Sequence, residues 1–326
     1  MPVNTYVNRH DLMVEVAKLY YLNGLSQLQI ANRLKLTRSH VAYLLQEARE
    51  SRVVEIVINR PVARDDELER IFCREFHLQE AYVVIAEGSD EADILHRIGV
   101  CGAEVLSRHV ENGMVLGVTP GTGVSSVVSH LKAQRLPDVK VVQLTGSLGV
   151  SNKELDAAEQ CSRIGQAFGA RYYYLHVPLV VDSSAIASAL RHDPSVVNVL
   201  KLATQTQLAL MGIGSIDPQA STQFHTGYLS FQDLRDLTRL GAVGGISTAF
   251  FDVNGQPVEA PWLTGRSIGV TWEQIMRFER VIGLAGGSAK GEAVLGIARS
   301  GLVDILVMDQ QAACEALHLM GRSPAR

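Results

Sequence analysis

From Tyr82 onward the chain repeats one pattern: a short apolar run, a loop containing glycine, then a stretch with apolar residues three and four positions apart. The apolar runs fall at 82–85, 114–118, 139–144, 173–177, 208–213, 281–284 and 303–308, with helix-like stretches between many of them. Such alternation predicts an α/β fold, a Rossmann-like parallel or mixed sheet covered by helices on both faces. Ligands of these folds collect at the carboxyl ends of strands, where loops meet helix N-termini.

Three loops have that placement. Gly117-Val118-Thr119-Pro120-Gly121-Thr122-Gly123 follows the run at 114–118 and precedes a helix expected from about Val124. Its glycines permit close backbone approach, and Thr119, Thr122 and free amides suit a phosphate, although a plain turn has the same composition. Gln143-Leu144-Thr145-Gly146-Ser147-Leu148-Gly149 ends the next run in a similar way. In Leu284-Ala285-Gly286-Gly287-Ser288-Ala289-Lys290 the lysine is expected in the first turn of a helix running to about Ser300. A cation there opposes the helix dipole, so either an anion sits beside it or the lysine is incidental surface.

The N-terminal part follows a different rule. Ser26 stands where an N-cap belongs, before Ile30, Ala31 and Leu34; Lys35-Leu36 makes a turn, and Thr37 caps a second helix with Val41, Leu44, Leu45 and Ala48 inward. With a supporting helix over Leu12–Tyr21, this predicts a three-helix helix-turn-helix domain. The outward set, Arg38, Ser39, His40, Tyr43 and Arg49, can meet base edges and phosphates, and Ser26, Gln27 and Thr37 at the helix starts complete the candidate DNA contacts. A generic helical hairpin with solvated arginines is the plain alternative.

Charge divides along the same line. Residues 1–60 hold eight basic and five acidic side chains, a net of +3; since the whole chain carries −4, the rest carries −7. A mildly basic head on an acidic body suits DNA contact by the head alone, and in more than one copy. Val53–Ile58 alternates like a short strand before Pro61, and a helix from Asp65-Asp66 to Phe76 is expected as a linker or dimer seam. The expected domains are therefore 1–60 for DNA binding, 61–78 as a linker helix, and 79–326 for effector binding and oligomerisation. Cys73, Cys101, Cys161 and Cys314 are scattered and the ten histidines unclustered, so neither a disulfide framework nor a metal or other cofactor is expected. With no leader and no run of about twenty apolar residues, the chain reads as soluble and cytoplasmic, without membrane contact.

Taken in order, these motifs resemble the SorC family of bacterial transcriptional regulators over nearly the whole chain. The resemblance rests on Leu19–Glu50, Gly117–Gly121, Gln143–Gly146, Gly212-Ile213-Gly214, Gly241–Gly244, Phe251–Gly255, and Ala285-Gly286-Gly287 through Lys290 to Asp309. It implies an effector domain similar to glucosamine-6-phosphate deaminase and ribose-5-phosphate isomerase, kept for binding, and a homo-oligomer, a tetramer or dimer of dimers, on operator DNA. It also implies that Thr119, Gly121, Thr122 and Lys290 hold a phosphate, with Gln143 and Asp252 as neighbours; Gly117, Gly123, Thr145 and Gly146 belong to the same candidate set. The chain departs from the family pattern at Gly245 where Asp is common, Ala249 where Arg is common, Gly123 where Thr is common, and Ala42-Tyr43 where Ser-Arg is frequent.

The expectation is a DNA-binding regulator of a carbohydrate or polyol operon, a repressor relieved by a sugar phosphate or related metabolite, with no catalytic residue. The alternatives are a sugar-phosphate isomerase or deaminase with an added head, drawing on Asp252 or Asp309 as base, and a DNA-binding protein that ignores ligands.

Overall fold

The computed structural model describes residues 9–51, 53–54, 62–86, 88, 90–149 and 155–321. It divides into two compact units, Met1–Pro61 and Val62–Arg326.

The first unit contains α1 (Arg9–Ala17), α2 (Gln27–Leu34) and α3 (Arg38–Glu50). The first helix is not uniform: a π-helical turn, Lys18–Leu22, continues α1 and leaves Leu22 80% exposed. Ser26 forms a reciprocal cap with Gln29, its hydroxyl accepting the Gln29 amide while the Gln29 side chain accepts the Ser26 amide. Lys35 ends α2 in the left-handed region at φ 56°, and Thr37 then caps α3 by accepting the His40 amide at 3.2 Å. The predicted stripe is buried: Ile30, Ala31, Val41, Leu44, Leu45 and Ala48 pack with Met13, Val16 and Leu19 of the first helix. Of the strand expected over 53–58, Val53 and Val54 form a bend, and Glu55–Ile58 and Pro61 lie outside the described residues.

The second unit begins with α4 (Asp66–Phe76), β1 (Glu80–Val84), α5 (Glu91–His109), β2 (Val115–Val118), α6 (Thr122–Ser129), β3 (Lys140–Gln143), α7 (Ala157–Phe168) and β4 (Arg171–Tyr173). It continues through α8 (Ser184–Arg191), α9 (Pro194–Ala203), β5 (Leu208–Ser215), α10 (Thr222–His225), α11 (Phe231–Arg239), β6 (Ala242–Ile246), β7 (Ala249–Asp252) and β8 (Pro257–Val258). The last elements are α12 (Pro261–Thr264), α13 (Trp272–Ile275), β9 (Arg280–Ala285), α14 (Gly291–Ser300), β10 (Ile305–Asp309) and α15 (Gln310–Leu319). Asp65 caps α4, and Leu68 and Phe72 sink into the core beside β1. The segment expected as a linker helix is thus a component of the body.

Seven strands run parallel in the order β1-β10-β9-β5-β2-β3-β4. Their side chains alternate between two apolar layers: Ile305 and Val307 face one, with Leu208, Leu210 and α5, α6 and α7, while Leu306 and Met308 face the other, with Ala209, Met211 and α4, α14 and α15. Both faces are dry, which is why the strands read as apolar runs rather than as alternating polar and apolar residues. Among the described residues no helix is long and apolar enough to cross a membrane.

One strand expectation needs correction. The run at 173–177 contributes only Tyr173 to a strand, because the Leu175 amide donates to the Gln143 side chain and the chain leaves the sheet there. In addition, β6, β7 and β8, which no expected run marks, form an antiparallel ribbon on the end of β5, where Ile213–Ser215 pair with Gly244–Ile246, so of the two expected sheet types it is the mixed one. The ribbon is held from both sides: Phe251 enters the main core, and Phe250 packs with Leu234 and Leu237 of α11 and Leu263 of α12.

Beyond β7 the Phe251–Gly255 motif is a turn. The Asp252 carboxylate accepts the amides of Asn254 and Gln256 at 2.9 and 2.8 Å, and Gly255 sits at φ 80° against the end of α14. A Cβ at Gly255 would lie 2.5 Å from the Ser300 nitrogen. Gly255→Ala is expected to destabilise the body by at least ~1–3 kcal/mol through strain and overlap, read as a lowered midpoint in thermal denaturation.

Candidate functional site

The parallel strands present their carboxyl ends to one edge of the sheet, and a cavity opens there. Its floor is the loop after β2 with the first turn of α6 (Thr119, Pro120, Gly121, Thr122, Gly123), Thr145 after β3, Gly212 and Gly214 of β5, Leu284 of β9 and Lys290. Its cover comes from Thr222 and Gln223 of α10, Thr226, Gly245 of β6 and Ser247 in the β6–β7 turn, with Leu148 and Leu179 as an apolar wall.

Two features make the floor suited to an anion. Gly121 precedes α6 at φ 146°, where other residues are strained, and no side chain caps the helix, so its first amides are left for another acceptor. The loop is held from behind: the Gln160 side-chain amide donates to the Gly121 carbonyl at 3.1 Å, and the Gly212 amide donates to the Thr119 hydroxyl at 3.2 Å. Lys290 supplies the cation. It closes a 3-10 turn, Ser288–Lys290, and stands as the N-cap of α14 rather than within its first turn, donating from Nζ to the Ile213 carbonyl at 3.2 Å. Burial pushes its pKa down, with Glu91 and Asp309 acting in the opposite sense. A lysine so placed lacks a full counter-charge, and a bound anion would provide one. Among the described lining residues none is acidic.

The structure therefore brings together Thr119, Gly121, Thr122, Gly123, Thr145 and Lys290. It does not bring the other four candidates to the cavity. Gly117 lies within β2, where Leu144 and Thr206 leave no room for a side chain, and Gly146 is packed against the Pro178 backbone. Gln143 is fully buried with both ends of its amide engaged, accepting from the Leu175 amide and donating to the Ser147 hydroxyl at 3.3 Å. Asp252 orders its own turn. Asp309, the other carboxylate an isomerase reading would use, is fully buried and accepts the Gly287 and Gln311 amides at 2.6 and 2.9 Å. Neither acid lines the cavity. Among the described residues no group of three or more His, Cys, Asp or Glu side chains is placed to hold a metal.

Sequence reasoning missed the cover. Thr222, Gln223, Thr226 and Ser247 sit in a one-turn helix and a hairpin turn without a recognisable motif, and only the folded ribbon carries them over the strand ends. Two departures from the family pattern, Gly123 and Gly245, line the cavity, whereas Ala249 does not.

In the first unit, Arg38, Ser39, His40 and Arg49 are exposed on α3, as is Tyr43 at 53%. The hydroxyls of Ser26 and Thr37 accept helix-capping amides, which gives both a structural task at the exposed helix starts, and Gln27 is half-buried. One further residue joins this face. Arg9 donates to the Tyr43 hydroxyl at 3.0 Å and to Glu47 at 2.9 Å, with its guanidinium 5.5 Å from the Tyr43 ring centre, so α1 fixes the tyrosine's position.

Comparison with known proteins places these features in a family. Residues 60–318 match the family model described as "Putative sugar-binding domain". The chain is 31% identical to the deoxyribonucleoside regulator of Bacillus subtilis, covering 94% of this chain and 96% of that one. It is also 31% identical to the transcriptional regulator LsrR of Klebsiella pneumoniae, covering 95% and 93%. Among solved structures, the full-length sorbitol operon regulator SorC from Klebsiella pneumoniae superposes with a TM-score of 0.70 at 25% identity, over 96% of this chain and 99% of that one.

The lowered pKa of Lys290 sets a pH dependence with a definite sign. The folded chain releases this proton more readily than the unfolded one, so the cost of the buried cation fades as pH rises through the lowered value. Affinity for inorganic phosphate, which needs the cation, is expected to fall with rising pH before the ordinary lysine value of 10.5 is reached. Calorimetric titration across that range checks this, and Lys290→Met is expected to remove the dependence together with most of the binding.

Proposed function

The chain belongs to the SorC family of sugar-binding transcriptional regulators, and from that premise we propose that it binds operator DNA through its first unit under control of a small anionic metabolite in its second. The observation that carries the effector half is the uncapped N-terminus of α6 sharing a cavity with Lys290. Those groups suit a phosphate, and the hydroxyls around them suit the oxygens of a sugar or polyol. We take the effector to be a sugar phosphate or related compound of a carbohydrate or polyol pathway, whose binding relieves repression.

Binding, not turnover, is the task proposed for the cavity. Isomerisation or deamination of a sugar phosphate requires a base beside the sugar carbons. The two carboxylates available from the sequence, Asp252 and Asp309, are occupied by backbone amides, and the relatives described above are named as regulators.

The DNA-reading half rests on α3, whose exposed N-terminal residues Arg38 and Ser39 follow a tight turn from α2, the arrangement with which helix-turn-helix proteins enter the major groove. A head carrying only +3 makes few phosphate contacts, so useful affinity calls for several heads on one site, as in a dimer of dimers. Fluorescence anisotropy with DNA from upstream of the protein's own gene, titrated with phosphorylated and unphosphorylated sugars at fixed salt, tests the whole reading. A ligand-dependent change in affinity is expected; tight binding that no ligand alters would leave a ligand-independent regulator. In the same assay Arg38→Ala is expected to weaken specific binding by about 1–3 kcal/mol per head while leaving phosphate binding by the body unchanged.

A further inference from the structure

Two hydroxyls of the cavity are buried without a hydrogen-bond partner among the described residues: Thr145 Oγ1 and Ser247 Oγ. The other lining hydroxyls for which bonds are seen are engaged within the protein. Thr119 accepts the Gly212 amide, and Thr226 donates to the carbonyls of Thr222 and Gln223. Thr145 is fully buried, and its backbone pairs with Gly269, so it cannot swing out to water. Buried polar groups in folded proteins are almost always satisfied, and those that are not concentrate where a ligand completes them.

Ser247 carries a second, independent mark. It is the first residue of the two-residue turn joining Ile246 to Ala249, and its φ is +57°. Glycine is the favoured residue at a positive φ in such a turn, and serine there holds strained backbone. The Gln223 side-chain amide reaches the Ser247 carbonyl at 3.4 Å, which ties the turn to α10. Strain that a single substitution would relax persists when the side chain has a task, and the Ser247 hydroxyl has no partner among the described residues.

We propose that Thr145 and Ser247 are the specificity-determining residues of this site, hydrogen-bonding the hydroxyl or carbonyl oxygens at the end of the effector remote from its anionic group. The proposal rests on the anionic-effector reading above and adds to it which residues distinguish one phosphorylated compound from another. Each hydroxyl both donates and accepts, so the pair takes either a carbonyl or an alcohol, in a cavity whose described lining offers no carboxylate to do so. Because one residue follows β3 and the other lies in the ribbon, the same ligand oxygens would join the parallel sheet to its cover.

The test compares inorganic phosphate, glycerol 3-phosphate and D-ribose 5-phosphate by calorimetry on the full chain and on Thr145→Val, Ser247→Ala and Ser247→Gly. The expected result is unchanged phosphate affinity in the two Ser247 variants, with roughly tenfold weaker binding in all three of whichever organic phosphates the parent chain binds. Ser247→Gly is further expected to raise the melting temperature of the free protein by about 2–4 °C as the turn relaxes. Organic phosphates bound equally well by parent and variants would overturn the proposal and leave the anion site standing, as would an equal loss of inorganic phosphate, which would make the residues structural. A Ser247→Gly protein no more stable than the parent would overturn the argument from strain. If the parent binds none of the three probes, the anionic-effector reading fails and this inference with it.

Discussion

Burial of a parallel sheet on both faces is the constraint from which the rest of the body follows. Backbone amides and carbonyls inside such a sheet are satisfied only by neighbouring strands, so the strands must lie side by side and the helices that return the chain must cover both apolar layers. Every strand then ends at the same edge, where the chain turns into helix and the first amides of α6 have no partner in the sheet. Lys290 arrives there because β9 ends in the same row. The anion-binding character proposed for the cavity is a product of topology first and of particular side chains second.

This explains which parts of the molecule were legible in its sequence. The apolar runs of β2, β5 and β9 carry no polar interruptions and those of β3 and β10 few, so their number and placement could be read directly, and the glycine-rich loops after β2 and β9 announced the strand ends. The β6–β8 ribbon could not be read in this way. Gly244 and Gly245 interrupt β6, and Phe250 and Phe251 are both buried, each in a different cluster, which defeats any alternation of polar and apolar residues. Tertiary context also reversed two readings of polar residues. Gln143 looked like a ligand contact at a strand end, but its amide completes the backbone of the departing chain at Leu175; Asp252 looked like a pocket acid, but it orders the turn that seats Gly255.

The helical head was legible for a different reason. Its caps are side chains acting on amides three residues away, so Ser26 with Gln29 and Thr37 with His40 are local and visible in the sequence. Arg9 was not visible, because its partners Tyr43 and Glu47 lie on another helix more than thirty residues along the chain. Interactions close in sequence were recovered and those distant in sequence were lost, and the same holds for Ser247 in the cavity.

The switch of β5 from parallel to antiparallel pairing at Ile213–Ser215 has a consequence for how such a protein can diverge. One strand serves two neighbourhoods: Leu208–Gly212 are built into the apolar sheet, where replacement disturbs the whole body, and Ile213, which opens the antiparallel stretch, accepts a hydrogen bond from the Lys290 ammonium. The antiparallel half carries a short ribbon that has a small cluster of its own around Phe250 and also sends Phe251 into the main core. Drift in the ribbon can therefore redraw what the cavity recognises only at positions that leave Phe251 in the main core, so the cover of the site and the stability of the body are changed together or not at all.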